Sequence, residues 1–154
     1  VERSRGLGDV YKRQIWILLI ICARRGKCDP MKLLILSDTL RSLGFACEAI
    51  EKEAPDAVIH LGDHLGDAED LSFAYQDPDF YYVPGNCDYA PTVPQMLTLE
   101  FDGVRIFATH GHLFGVKREL TALADAARER GAQIGLRFRA CILAHICVSF
   151  SIQI

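Results

Sequence analysis

Short apolar runs bounded by turn residues recur through the middle of the chain: KLLILS from Lys32, AVIHL from Ala57, FYYV from Phe80, LTLEF from Leu97 and VRIFAT from Val104. Runs of that length and bounding read as strands. Segments with helical spacing lie between them. In RSLGFACEAIEKEA, Leu43, Ala46, Ile50 and Ala54 recur at three- and four-residue intervals until Pro55 ends the pattern. A second helix is predicted over DAEDLSFAY. In KRELTALADAARERG, Leu120, Leu123, Ala124 and Ala127 share one face before Gly131. Asp102-Gly103, between LTLEF and VRIFAT, is the strongest two-residue hairpin signal present. Strand and helix alternate first, and a hairpin then intervenes. That order predicts α/β, and it fits a mixed β-sheet sandwich and not a purely parallel doubly wound sheet, although the pattern alone goes no further than α/β.

The pattern starts at Met31 and breaks down after Ile134, which divides the chain into a leader (1–30), a domain (31–134) and a tail (135–154). VERSRGLGDVYKRQ resembles a peptide found at the edges of fragmentary translations, and the leader is expected to come from translation or adapter sequence. IWILLIICA behind it is apolar and flanked by Lys12, Arg13, Arg24 and Arg25. A spanning helix needs about 20 apolar residues, and no small-residue cleavage site follows. No membrane association is expected, a membrane anchor in the leader being the lesser alternative.

Composition narrows the class further. The chain of 154 residues carries a formal charge of −3, and its Lys and Arg form no stripe outside the leader. This argues against a nucleic-acid footprint. Of the six cysteines, Cys22 and Cys28 lie in the leader and Cys141 and Cys147 in the tail. Cys47 and Cys87 remain, without CxxC spacing, which suits a reducing cytoplasm. Oligomeric state is not legible.

The chemistry sits at the carboxyl ends of the apolar runs, where open α/β sheets keep their sites. Asp38, Asp63, Asn86 and His110 each follow one run. Any one of these Asp or Asn residues would ordinarily be read as satisfying turn backbone. All four together make a hard oxygen and nitrogen donor set suited to Mn, Fe or Zn. His112 stands two residues beyond His110. His60, inside a strand, is expected to be a packed or hydrogen-bonded core histidine, and His64 is expected at the surface.

The order SDT, GD, GNCD and THGHL from Met31 to about Ile134 resembles the calcineurin-like metallophosphoesterases, in particular the small bacterial phosphodiesterase subfamily. The resemblance implies two mixed sheets packed face to face with helices outside. It implies two divalent metal ions, Mn foremost with Zn, Fe or Ni as alternatives, acting on a small phosphoester. Asp63 would bridge the ions, Asp38 would hold the first, and Asn86 and His110 the second. Asp63, His110 and His112 would carry the catalysis. Cys87 takes the place of a histidine found in much of the superfamily and is read as a small space-filler, while Asp88 would orient its neighbours.

Two departures bear on activity. Leu40 stands where the family carries a histidine ligand, and the tail lacks the family's G-H-x-H. Reading the codons of Phe138, Arg139, Ala140 and Cys141 one base later permits Phe-Gly-His, so a frame slip near Ile134 and an incomplete C-terminal part are expected. The first ion would keep only Asp38 and Asp63 from the protein. The chain as written therefore reads as an impaired phosphoesterase. The alternatives are a non-catalytic scaffold, as in the retromer subunit that looks like this fold, and a gene fragment without function.

Overall fold

The computed structural model describes residues 16–22, 31–90, 92–116, 118–137, 140–143 and 149–151. Strand β1 (Trp16–Cys22) pairs antiparallel with β2 (Met31–Ser37). Helix α1 (Leu43–Glu53), β3 (Ala57–His60), α2 (Leu65–Ala74) and β4 (Asp79–Tyr82) follow. Strands β5 (Met96–Phe101) and β6 (Val104–Thr109) form a hairpin, and α3 (Thr121–Glu129) leads to β7 (Ile134–Arg137). Strands β8 (Ala140–Leu143) and β9 (Ser149–Ser151) are the last described elements. One sheet has the order β4-β3-β2-β1-β9, with β2, β3 and β4 parallel. The other has the order β5-β6-β7-β8, with β6 and β7 parallel. Both sheets are mixed, because β1 and the hairpin run against their neighbours.

The two-residue alternation of a strand sorts its side chains into layers. Leu33 and Ile35 of β2, with Ala57 and Ile59 of β3, meet Ile106, Ala108, Ile134 and Leu136 from the other sheet. Their alternates Leu34, Leu36 and Val58 pack on Ala46 and Ile50 of α1 and on Leu71 of α2. On the far side, Phe107 packs on Leu123, Ala126 and Ala127 of α3. The result is helix, sheet, sheet, helix, as expected. Leu33, Leu34, Leu36 and Ile59 are fully removed from water, each contributing about 1.5–3 kcal/mol of apolar burial.

The Asp102-Gly103 turn closes the hairpin with Phe101 opposite Val104, and both turn residues have positive φ (49° and 82°). That is the pattern whose twist matches paired strands. The helix faces need correction. Helix α3 starts at Thr121, so Leu120 precedes it and is exposed, and Ala126 replaces Ala124 among the buried residues. Ala54 is an exposed left-handed cap beyond α1, its N–H bonded to the Ile50 carbonyl.

Most of the expected leader (1–15 and 23–30) and residues 138–139, 144–148 and 152–154 of the tail lie outside the described residues. Within those segments, β1 pairs with β2 and β9, and β8 pairs with β7.

Candidate metal centre

Parallel strands β2, β3 and β4 deliver the Asp38, Asp63 and Asn86 loops to the same edge of one sheet, and β6 delivers His110 from the other. His110 is 3% exposed, and its contacts join the sheets. Its Nδ1 lies 2.7 Å from the Leu61 carbonyl. A carbonyl only accepts, so Nδ1 donates to it. The other ring nitrogen, Nε2, faces Asn86 Oδ1 at 3.1 Å and Asp63 Oδ1 at 3.8 Å. The Asn86 amide is oriented by its own Nδ2, which donates to Cys87 Sγ at 3.2 Å. Two oxygens and one ring nitrogen, all of ligand type, converge here.

Asp88 holds this arrangement. Its Oδ1 accepts the N–H groups of His64 and Leu65 at 2.9 and 3.0 Å, and its Oδ2 accepts those of Asp63 and Gly85 at 2.9 and 2.8 Å. Burial pushes its carboxyl up, but these four bonds outweigh it and hold it below the usual carboxylate range. One charged side chain thus clamps the loop after β3 to the loop after β4. The clamp needs close backbone approach. A Cβ on Gly85 would run into the Asp63 carboxylate and backbone, and one on Gly62 would meet the Gly85 backbone. Asp63 and His64 both take left-handed backbone, with φ of 59° and 79°. His64 is half-buried at the start of α2, a correction to the surface position expected of it.

Asp38 is buried, accepts from Ser37 Oγ at 3.2 Å, and donates its N–H to the Gly62 carbonyl at 3.3 Å. Leu40, two residues on, is 38% exposed and offers no donor atom. His112 opens a single 3-10 turn, His112–Phe114, its ring centroid 5.4 Å from that of His110. Partial desolvation, then the neighbouring His110, keep its imidazole below the ordinary value, with Asp63 opposing.

Cys87 is exposed, so it is not the packed space-filler expected. Its N–H donates to Asp63 Oδ1 at 3.2 Å, and the Asp63 charge, ahead of burial, pushes its thiol up. A protonated thiol is a poor nucleophile. His60 is buried and hydrogen-bonded through both ring nitrogens, as expected of it.

Among the described residues, no group of three or more His, Cys, Asp and Glu side chains could hold a metal ion. The convergent set includes instead the Asn86 amide oxygen, a hard donor like the carboxylate beside it. Asp63, Asn86 and His110 fit one divalent cation in donor chemistry. Asp38 is buried in the loop bonded to Gly62, next to Asp63, and Leu40 in the same loop offers no donor atom. Asp63, Asn86 and His110, expected from the sequence at three strand ends, lie side by side in the structure. The orienting role expected of Asp88 was visible without its partners, because three of the four lie 23 to 25 residues away.

The sequence model of the calcineurin-like phosphoesterase superfamily domain matches residues 31–137. The chain is 34% identical over 105 residues to the probable metallophosphoesterase YsnB of Bacillus subtilis, covering 68% of this chain and 60% of that protein. A conserved uncharacterized protein of Streptococcus pneumoniae, described as a predicted phosphoesterase, has a similar crystal structure. It aligns with a TM-score of 0.54 at 28% identity, over 68% of this chain and 59% of its own. A single mutant of Vps29 from Entamoeba histolytica aligns with a TM-score of 0.53 at 17% identity, over 67% and 61% of the two chains, a likeness of fold alone. The chain thus spans about three fifths of the length of each relative. On the family match and the 34% identity together, it belongs to the calcineurin-like phosphoesterase superfamily, whose members use divalent metal cofactors.

Proposed function

We propose that the chain is a metal-dependent phosphoesterase of reduced activity, hydrolysing a small phosphoester with Mn as the preferred ion. The observation that carries this reading is the convergence of Asp63 Oδ1, Asn86 Oδ1 and His110 Nε2 at the strand ends. Divalent cations bound to such donors supply charge neutralisation at a phosphoryl group and a water acidified toward neutral pH. Asp63, Asn86 and His110 would hold one cation, and Asp38 with Asp63 would hold the other more weakly. His112, neutral at pH 7, donates a ring N–H to a phosphoryl oxygen. Cys87 keeps its proton, so water is the nucleophile: its oxygen bonds to phosphorus, the ester P–O bond breaks, and the alcohol leaves protonated. Leu40 withdraws a donor from the first position and lowers affinity there. Among the described residues no helix is long and apolar enough to cross a membrane. A cytoplasmic location is proposed on Cys47 and Cys87, which are free thiols.

Hydrolysis of bis(4-nitrophenyl) phosphate with and without Mn²⁺ tests the reading. Weak Mn²⁺-dependent turnover that Asp63→Asn abolishes is expected. Turnover indifferent to both chelator and Asp63→Asn would overturn it. Absence of turnover in the wild type and in Leu40→His alike would favour the scaffold reading.

A further inference from the structure

His60 closes β3 on the face opposite Ile59 and Leu61, and it is 1% exposed. The mechanism does not use it, yet both its ring nitrogens are committed. The Gly62 N–H donates to Nδ1 at 3.2 Å. That nitrogen therefore carries no hydrogen, and Nε2–H donates to Thr39 Oγ1 at 3.1 Å. Thr39 is fully buried and follows Asp38, and Gly62 precedes Asp63. One imidazole thus spans the two loops that carry the two carboxylates.

The loops it spans are not at rest in ordinary backbone. Asp38, Leu40 and Arg41 have φ of 58°, 47° and 62° on one side, and Asp63 and His64 have positive φ on the other. Left-handed residues without glycine persist only where their surroundings fasten them. Asp88 fastens the Asp63 side through the Asp63 and His64 N–H groups. Between the two sides, besides the imidazole, the Asp38 N–H bonds the Gly62 carbonyl at 3.3 Å, and Asp67 Oδ2, buried in the first turn of α2, accepts the Arg41 N–H at 2.7 Å. Leu40 offers nothing to a cation, so in this chain ties within the protein have to set the loop that a histidine ligand would otherwise hold.

We propose that His60 is a positioning residue, whose neutral imidazole ties the Asp38 loop to the Asp63 loop and so sets the separation of the two carboxylates that share the metal centre. The proposal rests on the metal reading above. Thr39→Val keeps the side-chain shape and removes the acceptor. His60→Asn keeps an acceptor for Gly62 and loses the reach to Thr39. Both break the same link, so their effects are expected not to add.

The test reads two quantities on each variant: the Mn²⁺ dissociation constant, from the electron paramagnetic resonance of free Mn²⁺ in a titration, and the urea midpoint without metal. Each single variant is expected to bind Mn²⁺ on the order of 10-fold more weakly, as loss of groups that orient metal ligands does. The double variant should be no worse than the weaker single. A urea midpoint that falls while Mn²⁺ affinity stays at the wild-type value would overturn the proposal and leave His60 a packing residue. So would additive losses in the double variant. A wild-type chain that binds Mn²⁺ no better than Asp63→Asn would instead overturn the metal reading, and this proposal with it.

Discussion

Replacing Leu40 by His probes the first metal position from the side of gain. Leu40 sits at φ 47° with 38% of its surface exposed. The backbone cost of that φ is already present, and histidine tolerates it better than leucine does. Without metal, the variant loses part of a leucine's burial, which costs about 1 kcal/mol. With metal, the first position gains a nitrogen beside Asp38 and Asp63. Groups that merely orient ligands are worth about 10- to 100-fold in metal affinity, so a direct ligand is expected to give at least that, or about 1.4–2.7 kcal/mol. At saturating Mn²⁺ the same increment adds to stability. In a domain of this size that corresponds to roughly 5–15 °C. The assay is thermal unfolding of wild type and Leu40→His across a Mn²⁺ titration. A variant that melts lower without metal but gains more from Mn²⁺ than the wild type is the expected result. Equal Mn²⁺-induced shifts in the two proteins would refute the reasoning, because the Asp38 loop would then not face a cation.

Three further predictions follow from the packing around Asp63. Asp88→Asn turns one of two oxygens, each of which accepts two N–H groups, into a donor facing donors; urea unfolding should show a loss of about 2–4 kcal/mol, and a loss under about 0.5 kcal/mol would remove the clamp from the account. Gly85→Ala drives a methyl group into the Asp63 carboxylate, so it should cost about 1–3 kcal/mol and abolish Mn²⁺-dependent turnover, which an unchanged turnover would contradict. Burial lowers the His60 pKa to about 4, reinforced by His110 and opposed by Asp67, Asp88 and Asp63. The folded state thus favours the neutral ring; stability is full above the ordinary value of 6.5 and falls as pH drops from there toward 4, by up to about 3 kcal/mol. Urea midpoints between pH 7 and pH 4 should show that slope in the wild type and much less of it in His60→Asn.

The α/β order was legible because short apolar runs alternate with helical spacing, and because Asp102-Gly103 admits one tight turn; the two-sheet layering was implied by the family resemblance. The exact face of α3 was not, since Ala124 and Ala126 are indistinguishable until the first helical residue is known to be Thr121. Asp38, Asp63, Asn86 and His110 could be picked out as strand-end residues, each one legible from local sequence. What links them is not local. His60 reaches Thr39 across 21 residues and Asp88 reaches Asp63 across 25. The left-handed backbone at Asp38, Leu40, Arg41, Asp63 and His64 has no glycine to announce it, and it is held by those distant bonds. Trp16–Cys22 read as part of a leader because its pairing with β2 depends on register, which an isolated apolar run does not reveal.

Anomalous diffraction from crystals grown with Mn²⁺ tests the central claim most directly. The account predicts a peak about 2.0–2.2 Å from Asp63 Oδ1, Asn86 Oδ1 and His110 Nε2, with a weaker one beside Asp38. Well-ordered density for these residues with no anomalous peak between them, at Mn²⁺ concentrations that fill surface sites elsewhere, would contradict it.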